Sequence, residues 1–111
     1  MTDKIRLVRG DTGPQIRLSL TDDITGEPLN LTGATVTLHF RAAGEPVALF
    51  SRQCYVNPQT ASTGVAIVQW NEGDLDRTEG DYEGEVEVTY SAGLRQTVYD
   101  LLKFKLREDV A

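Results

Sequence analysis

Cysteine and histidine are nearly absent from this chain of 111 residues, which contains one of each. Cys54 has no second thiol in the chain, so the fold has to be held by an apolar core, and a bridge to another molecule is the less favoured use of this thiol. One cysteine and one histidine do not complete a four-ligand zinc site. His39 lies in a threonine-rich stretch with no carboxylate at a diagnostic spacing, so we expect a solvated strand residue and no nucleophilic triad. The sequence therefore predicts a protein that is not an enzyme and has no cofactor.

Basic residues and long apolar runs are also scarce. The chain has 11 Lys and Arg against 17 Asp and Glu, which gives a formal net charge of −6 and a pI near 4.6. No basic stripe is present to displace the counterions of a nucleic-acid backbone, so we expect no nucleic-acid partner. The N-terminal segment is charged and no apolar run is long enough to span a bilayer, so we expect neither a membrane partner nor signal-dependent export. The length predicts one domain over 1–111.

The stretch 80–90, GDYEGEVEVTY, organises the rest of the chain. Its residues alternate with the period of two that is typical of a strand with one wet face. The inward set is Tyr82, Gly84, Val86, Val88 and Tyr90, and the outward set is Glu83, Glu85, Glu87 and Thr89. A helix would scatter both sets.

The start of this strand indicates the fold. Leu75, Gly80 and Tyr82 have the spacing of the corner at which immunoglobulin-like domains enter their penultimate strand, where a tyrosine hydroxyl bonds back to the preceding loop. Gly84 stands where an antibody domain carries a cysteine. We therefore predict an all-β protein, a disulfide-free immunoglobulin-like antiparallel β-sandwich of about seven to eight strands.

Six further segments read as strands separated by turns. They are 4–9, 15–21, 34–41, 46–52, 64–71 and 94–107. In the second, Ile16, Leu18 and Leu20 point inward. In the third, Ala34, Val36, Leu38 and Phe40 point inward, and in the fifth we favour the set that ends in Trp70. A longer connection is predicted over 53–63, and a short helical turn over 72–79 should place Leu75 on the end of the sandwich.

The last segment raises a question of register. Leu102, Phe104 and Leu106 point inward, which turns Lys103, Lys105 and Arg107 towards the outward glutamates of 80–90. A simple hairpin places Glu85 opposite Tyr99, so Lys103 meets a glutamate only if the chain slips or bulges near 99–101. Asp100 has the even numbering of the inward set, where a charged residue is unfavourable, and this favours such a bulge.

The acidic loop over 71–81 is the one place where a metal deserves consideration. Asp74, Asp76 and Asp81 are weak candidates for calcium ligands, because carboxylates at the end of a sandwich can hold this cation. Their order matches no EF-hand loop, so we expect a solvated acidic turn and no metal. The same carboxylates give no indication of a glycosidase cleft.

Several segments, taken in their order along the chain, resemble a phage family. They are RGDTG at 9–13, GEPLNLTGATVTLHF at 26–40, Thr63-Gly64 before Trp70, and GDLDRTEGDYEGEVEVTYSAG at 73–93. The pattern is similar to that of the N-terminal domain of the phage baseplate upper protein, with matches at 26–36, at Asp74-Leu75 and at 80–82. The resemblance implies an immunoglobulin-like virion structural protein that docks in rings or trimers around a tail tube or baseplate, and it carries over no catalytic residue.

The expected function follows from this resemblance. Because the family's sandwich usually opens a longer protein and this sequence ends at Ala111, we expect a tail or baseplate adaptor or collar component. It would be assembled in the host cytoplasm, located in the virion, and bound to other tail or baseplate proteins as a homo-oligomer. The candidate contact residues are Lys4, Arg6 and Arg9, which could meet an acidic surface, with Tyr55 and Tyr99 as exposed anchors. The alternatives are a carbohydrate-binding module, which needs an exposed aromatic platform, and a capsid decoration protein of the same fold.

Overall fold

The computed structural model describes residues 4–22, 24–98 and 101–110, which form eight strands in two sheets and one short 3-10 turn at Ala61–Thr63. The strands are β1 Ile5–Val8, β2 Gln15–Ser19, β3 Thr35–Ala42, β4 Phe50–Gln53, β5 Val65–Gln69, β6 Gly80–Thr89, β7 Arg95–Thr97 and β8 Leu102–Arg107. The predicted all-β sandwich is confirmed. Within those ranges no helix is long and apolar enough to cross a membrane.

The two sheets are unequal in size. The larger has the order β1-β8-β6-β3-β4, with β7 also paired to β6, and the smaller consists of β2 and β5. In the larger sheet β8, β6, β3 and β4 follow the order of the G, F, C and C′ strands of an immunoglobulin variable-type sandwich, and β2 and β5 take the places of B and E. One pair departs from the antiparallel pattern, because β1 runs parallel to β8.

The inward sets predicted from alternation form the core. Val36, Leu38 and Phe40 of β3 have no exposed surface, and β6 and β8 bury their inward residues against them. Phe40 is the centre of an aromatic cluster. Its ring centroid lies 5.0 Å from that of Phe50, 5.1 Å from Tyr82, 5.2 Å from Phe104 and 5.7 Å from Trp70. The choice of Trp70 for the inward face of β5 is confirmed, since 5% of this residue is exposed.

The tyrosine corner is present. The Tyr82 hydroxyl donates to the carbonyl of Thr78 at 2.5 Å, and Leu75 is 1% exposed. The segment before the strand is a hydrogen-bonded turn in which Asp74 N–H donates to the Asn71 carbonyl, so the predicted placement of Leu75 holds although no helix forms.

Two strand predictions need correction. The strand expected over 46–52 begins only at Phe50, where the ladder with β3 starts. Val47 is 72% exposed, and the first hydrogen bond to β3 runs from Leu49 N–H to the Phe40 carbonyl. The closing strand expected over 94–107 is split into β7 and β8.

The split coincides with the predicted register shift. Glu87 pairs with Thr97, and Glu83 pairs with Lys103. A step of four residues along β6 therefore corresponds to a step of six residues along the segment that runs from β7 into β8. The two extra residues preserve the parity of the strand, and Phe104 therefore remains inward, opposite Tyr82. Asp100, to which the bulge was assigned, lies outside the described residues.

The outward face of β6 is less exposed to solvent than predicted. Glu83 is only 8% exposed, because Lys103 from β8, Arg41 from β3 and the backbone of Gly44 close over its carboxylate. Glu85 and Glu87 are half-buried. The expectation of a fully solvated row of glutamates was wrong for Glu83, because both neighbouring strands supply a cation at this position.

The connection over 53–63 joins the two sheets. Cys54 N–H donates to the Val36 carbonyl in the larger sheet, and Tyr55 N–H donates to the Ile67 carbonyl in the smaller one. Consecutive residues thus hydrogen-bond to opposite layers of the sandwich. Cys54 is 4% exposed, and burial raises the pKa of its thiol to about 11.

Candidate interaction surfaces

The three candidate calcium ligands each face a different cation. The carboxylate of Asp74 receives two hydrogen bonds from the Arg52 guanidinium, at 2.5 and 3.0 Å, and one from the Asn71 N–H at 2.8 Å. Asp76 pairs with Arg9 and Asp81 with Lys4, both at 3.0 Å. The part of the chain that the structure describes contains no group of three acidic, histidine or cysteine side chains placed to hold a metal ion.

Lys4 and Arg9 bind within their own chain. Arg9 joins Asp76 to Glu108, each at 3.0 Å, and these carboxylates raise the pKa of the guanidinium. The Lys4 ammonium donates to Asp81 and lowers the pKa of that carboxyl group. Because both cations tie β1 to neighbouring segments, the structure gives them a role in holding the first strand.

Arg6 differs from these two neighbours. Its side chain is exposed on the outer face of β1, and among the described residues it has no ion pair. It lies beside Lys105 in the parallel ladder, and Val8 lies beside Arg107. The three side chains of Arg6, Lys105 and Arg107, with Leu7 and Val8, line a shallow groove of about 380 Å³. This is named the basic edge below.

Only one of the two candidate aromatic anchors lies among the described residues. Tyr55 is 48% exposed at the seam between the sheets, whereas Trp70 and Tyr82 are core residues. Tyr99 lies outside the described residues. The described residues show no exposed aromatic platform of the kind that a carbohydrate-binding module needs, since the remaining rings pack around Phe40 or lie half-buried.

Sequence reasoning missed a row of three polar side chains across the outer face of the larger sheet. His39 Nδ1 lies 2.7 Å from Ser51 Oγ, and His39 Nε2 lies 3.8 Å from a Glu87 carboxylate oxygen. The residue types are those of a serine nucleophile, its base and a carboxylate. The second distance is too long for a hydrogen bond, and Glu87 also faces Arg95 at 3.7 Å. The His39 and Glu87 side chains are 30% and 22% exposed, and an oxyanion is stabilised less where water is not excluded.

An apolar groove opens between the smaller sheet and the larger one, along the free side of β2. It has a volume of about 340 Å³ and is lined mainly by aliphatic side chains: Ile5, Ile16, Leu18, Leu20, Val86, Val98, Leu101 and Leu102. No described strand pairs with this side of β2.

The hydrogen-bond phase of β2 decides which backbone groups face the groove. Leu20 N–H donates to the Gly64 carbonyl, continuing the ladder in which Leu18 faces Ala66. Because bonding directions alternate along an antiparallel strand, the N–H and C=O groups of Arg17 and Ser19 point towards the free side. The groove therefore combines an unpaired strand edge with a floor of aliphatic side chains.

Comparison with known proteins adds no relative to this picture. A scan against protein-family models, a search of curated proteins and a search of solved structures found no significant match to the chain.

Proposed function

We propose that this chain is a non-enzymatic structural protein of a tailed bacteriophage, an adaptor or collar component of the tail or baseplate that acts through protein–protein contacts. The observation that carries the contact role is the free edge of β2 above its apolar groove. An extended segment of a neighbour that added to this edge would satisfy the backbone groups of Arg17 and Ser19 and cover the aliphatic floor. The phage assignment is supported by the order of the sequence segments that resemble the baseplate upper protein family.

Two substitutions at one position test the edge. Proline is tolerated in an edge strand where its missing N–H would have faced solvent, so Arg17→Pro removes a docking donor without removing a bond to β5. Arg17→Gln keeps the N–H and removes only the charge. Light scattering over a concentration series is measured for the protein alone and with the tail-tube and baseplate proteins encoded beside it.

We expect the natural chain and Arg17→Gln to form a discrete oligomer or a stoichiometric complex, and Arg17→Pro to weaken it about tenfold or more, as for a lost strand-addition contact. Thermal unfolding of both variants confirms that they fold. A natural chain that stays monomeric, ignores these neighbours and binds a glycan array would overturn the proposal in favour of a carbohydrate-binding module. Binding to capsid proteins alone would replace the tail assignment by a decoration role.

A further inference from the structure

We propose that the basic edge binds an acidic, extended segment of a partner protein, which adds as a strand beside β1. This inference deepens the proposed function, on which it rests, by stating the chemistry of one partner.

Like charges stand side by side on the basic edge. Arg6 is the direct neighbour of Lys105 in the parallel ladder, and Arg107 follows two positions along β8 on the same face. Like charges placed opposite each other on neighbouring strands destabilise a sheet. In a protein with 17 acidic residues and 11 basic ones, three adjacent cations on one face indicate a surface that an external anion would stabilise.

Among the described residues, the carboxylates leave this surface largely uncompensated. The closest one to Lys105 is that of Asp81 at 3.9 Å, and Lys4 already binds the same oxygen at 3.0 Å. Arg107 donates to the backbone carbonyl of Glu108. The basic edge is thus charged and open to a ligand, in contrast to the cations Lys103 and Arg41, which close over Glu83.

The backbone adds a second kind of contact. Arg9 N–H donates to the Arg107 carbonyl, so the backbone groups of residue 9 point towards β8. Alternation then turns the N–H and C=O of Arg6 away from β8, and no described strand lies on that side of β1. An extended segment can pair with Arg6 through its backbone while its acidic side chains reach Arg6, Lys105 and Arg107 across the groove.

The occupant is a different protein and not a second copy of this chain. The strand with alternating glutamates, β6, is central, with β8 on one side and β3 on the other. The strands at the margins of the sheets, β1, β2, β4 and β5, contain no acidic residue. A second copy therefore offers no acidic edge strand among its described residues. A nucleic acid fits less well, because the net charge of −6 repels a long polyanion.

The test uses a synthetic ten-residue peptide of alternating glutamate and threonine, and a matched peptide with glutamine in place of glutamate. Both are titrated into the isotope-labelled full chain, and amide chemical shifts are followed at low and high salt. We expect the acidic peptide to bind, to shift the amides of Arg6, Lys105 and Arg107, and to bind more weakly at high salt. The glutamine peptide should not bind measurably.

Matched variants locate the site. Arg6→Gln combined with Arg107→Gln should weaken binding of the acidic peptide by about three- to tenfold, as expected for two exposed charge pairs. Arg17→Gln combined with Arg95→Gln removes the same charge from exposed positions on other strands and should change the affinity less than about twofold.

Three outcomes overturn the inference: no binding of the acidic peptide, equal binding of the glutamine peptide, or equal weakening by the two pairs of substitutions. The complex with tail and baseplate proteins is measured separately for the Arg6 and Arg107 variant. If that complex forms with undiminished affinity and the peptide does not bind, the proposed function stands and the acidic partner is wrong. If no complex forms even with the natural chain, the function itself fails.

Discussion

At Gly84 the core leaves no space for a side chain. A Cβ placed on this residue would lie 2.6 Å from Leu38 Cδ1 and 3.0 Å from Phe104 Cε2, and both neighbours are fully buried. The position where an antibody domain carries a cysteine is here closed by leucine and phenylalanine from the flanking strands. Leucine and phenylalanine side chains thus occupy the point where an antibody domain has its disulfide.

Gly84→Ala should consequently destabilise the fold. Overpacking of a close-packed core costs about 1–3 kcal/mol, since the methyl group has to displace Leu38. Gly13→Ala is the matched control, because a Cβ at Gly13 has no atom within 4 Å and its backbone needs no positive φ. Chemical denaturation measures both. Equal stability of the two variants would show that the core at Gly84 relaxes freely.

Glu83 carries a pH-dependent part of the stability. Hydrogen bonding to Lys103, followed by that to the Gly44 N–H, lowers the pKa of its carboxyl group below the ordinary 4.5. Because the pKa is depressed in the folded state, this stabilisation is complete above the ordinary value and is lost as the pH falls through the lowered one.

Glu83→Gln should therefore lower the free energy of unfolding by about 1–3 kcal/mol at neutral pH, the range for hydrogen bonds to a charged group, and by less in acid. Glu85→Gln, on the same face of β6 and without an ion pair among the described residues, is the control. Denaturation is measured from pH 7 to below the ordinary carboxyl range. A deficit for Glu83→Gln that does not shrink in acid would contradict this role of the charge.

At the scale of elements, the corner before β6 controls how the preceding turn is attached. Tyr82→Phe removes the hydroxyl that donates to the Thr78 carbonyl and leaves that acceptor without this partner. We expect a loss of about 1–2 kcal/mol in stability, together with faster amide hydrogen exchange over 72–79. Tyr55→Phe, at an exposed ring, is the control. Unchanged exchange over 72–79 in Tyr82→Phe would mean that the burial of Leu75 and the hydrogen bonds of Asp74 hold the turn without the tyrosine.

The alternation of apolar and polar residues within each strand predicts much of the strand structure. The period of two assigned the inward faces of β2, β3, β5 and β6 correctly, because burial of one face dictates alternation within a single strand. The core positions of Leu29 and Leu31 were missed, since both lie between turn residues in a segment too short to show a period.

Contacts between strands were harder to predict. The pair between Glu83 and Lys103 required the two-residue register shift, which the sequence indicated only through the parity of the inward residues. The approach of Ser51 to His39 depends on where β4 begins, and that start was placed four residues too early in the sequence. The cations of the 4–9 segment looked alike in sequence, and only their partners in the fold distinguish the paired Lys4 and Arg9 from the open Arg6.

On the scale of the whole molecule, the margins of the two sheets carry different chemistry. The β2 edge is aliphatic, and the basic edge on β1 and β8 is cationic. The two proposals therefore call for partners of different chemistry, one that covers aliphatic side chains and one that is acidic. The substitutions that test the two margins lie on different sheets, Arg17 on β2 and Arg6 on β1, although Ile5 of β1 also lines the groove beside β2.

The parallel pairing of β1 with β8 also determines how the domain would respond to tension. A pull applied before Ile5 and after Arg107 acts along two neighbouring strands in opposite directions, so it shears their ladder. All the hydrogen bonds of that ladder then share the load, whereas a hairpin pulled open from its free ends releases them one at a time. Arg9 and Glu108, just beyond the ends of these strands, add an ion pair across the same junction. A domain loaded in this way resists extension along the line that joins these two points.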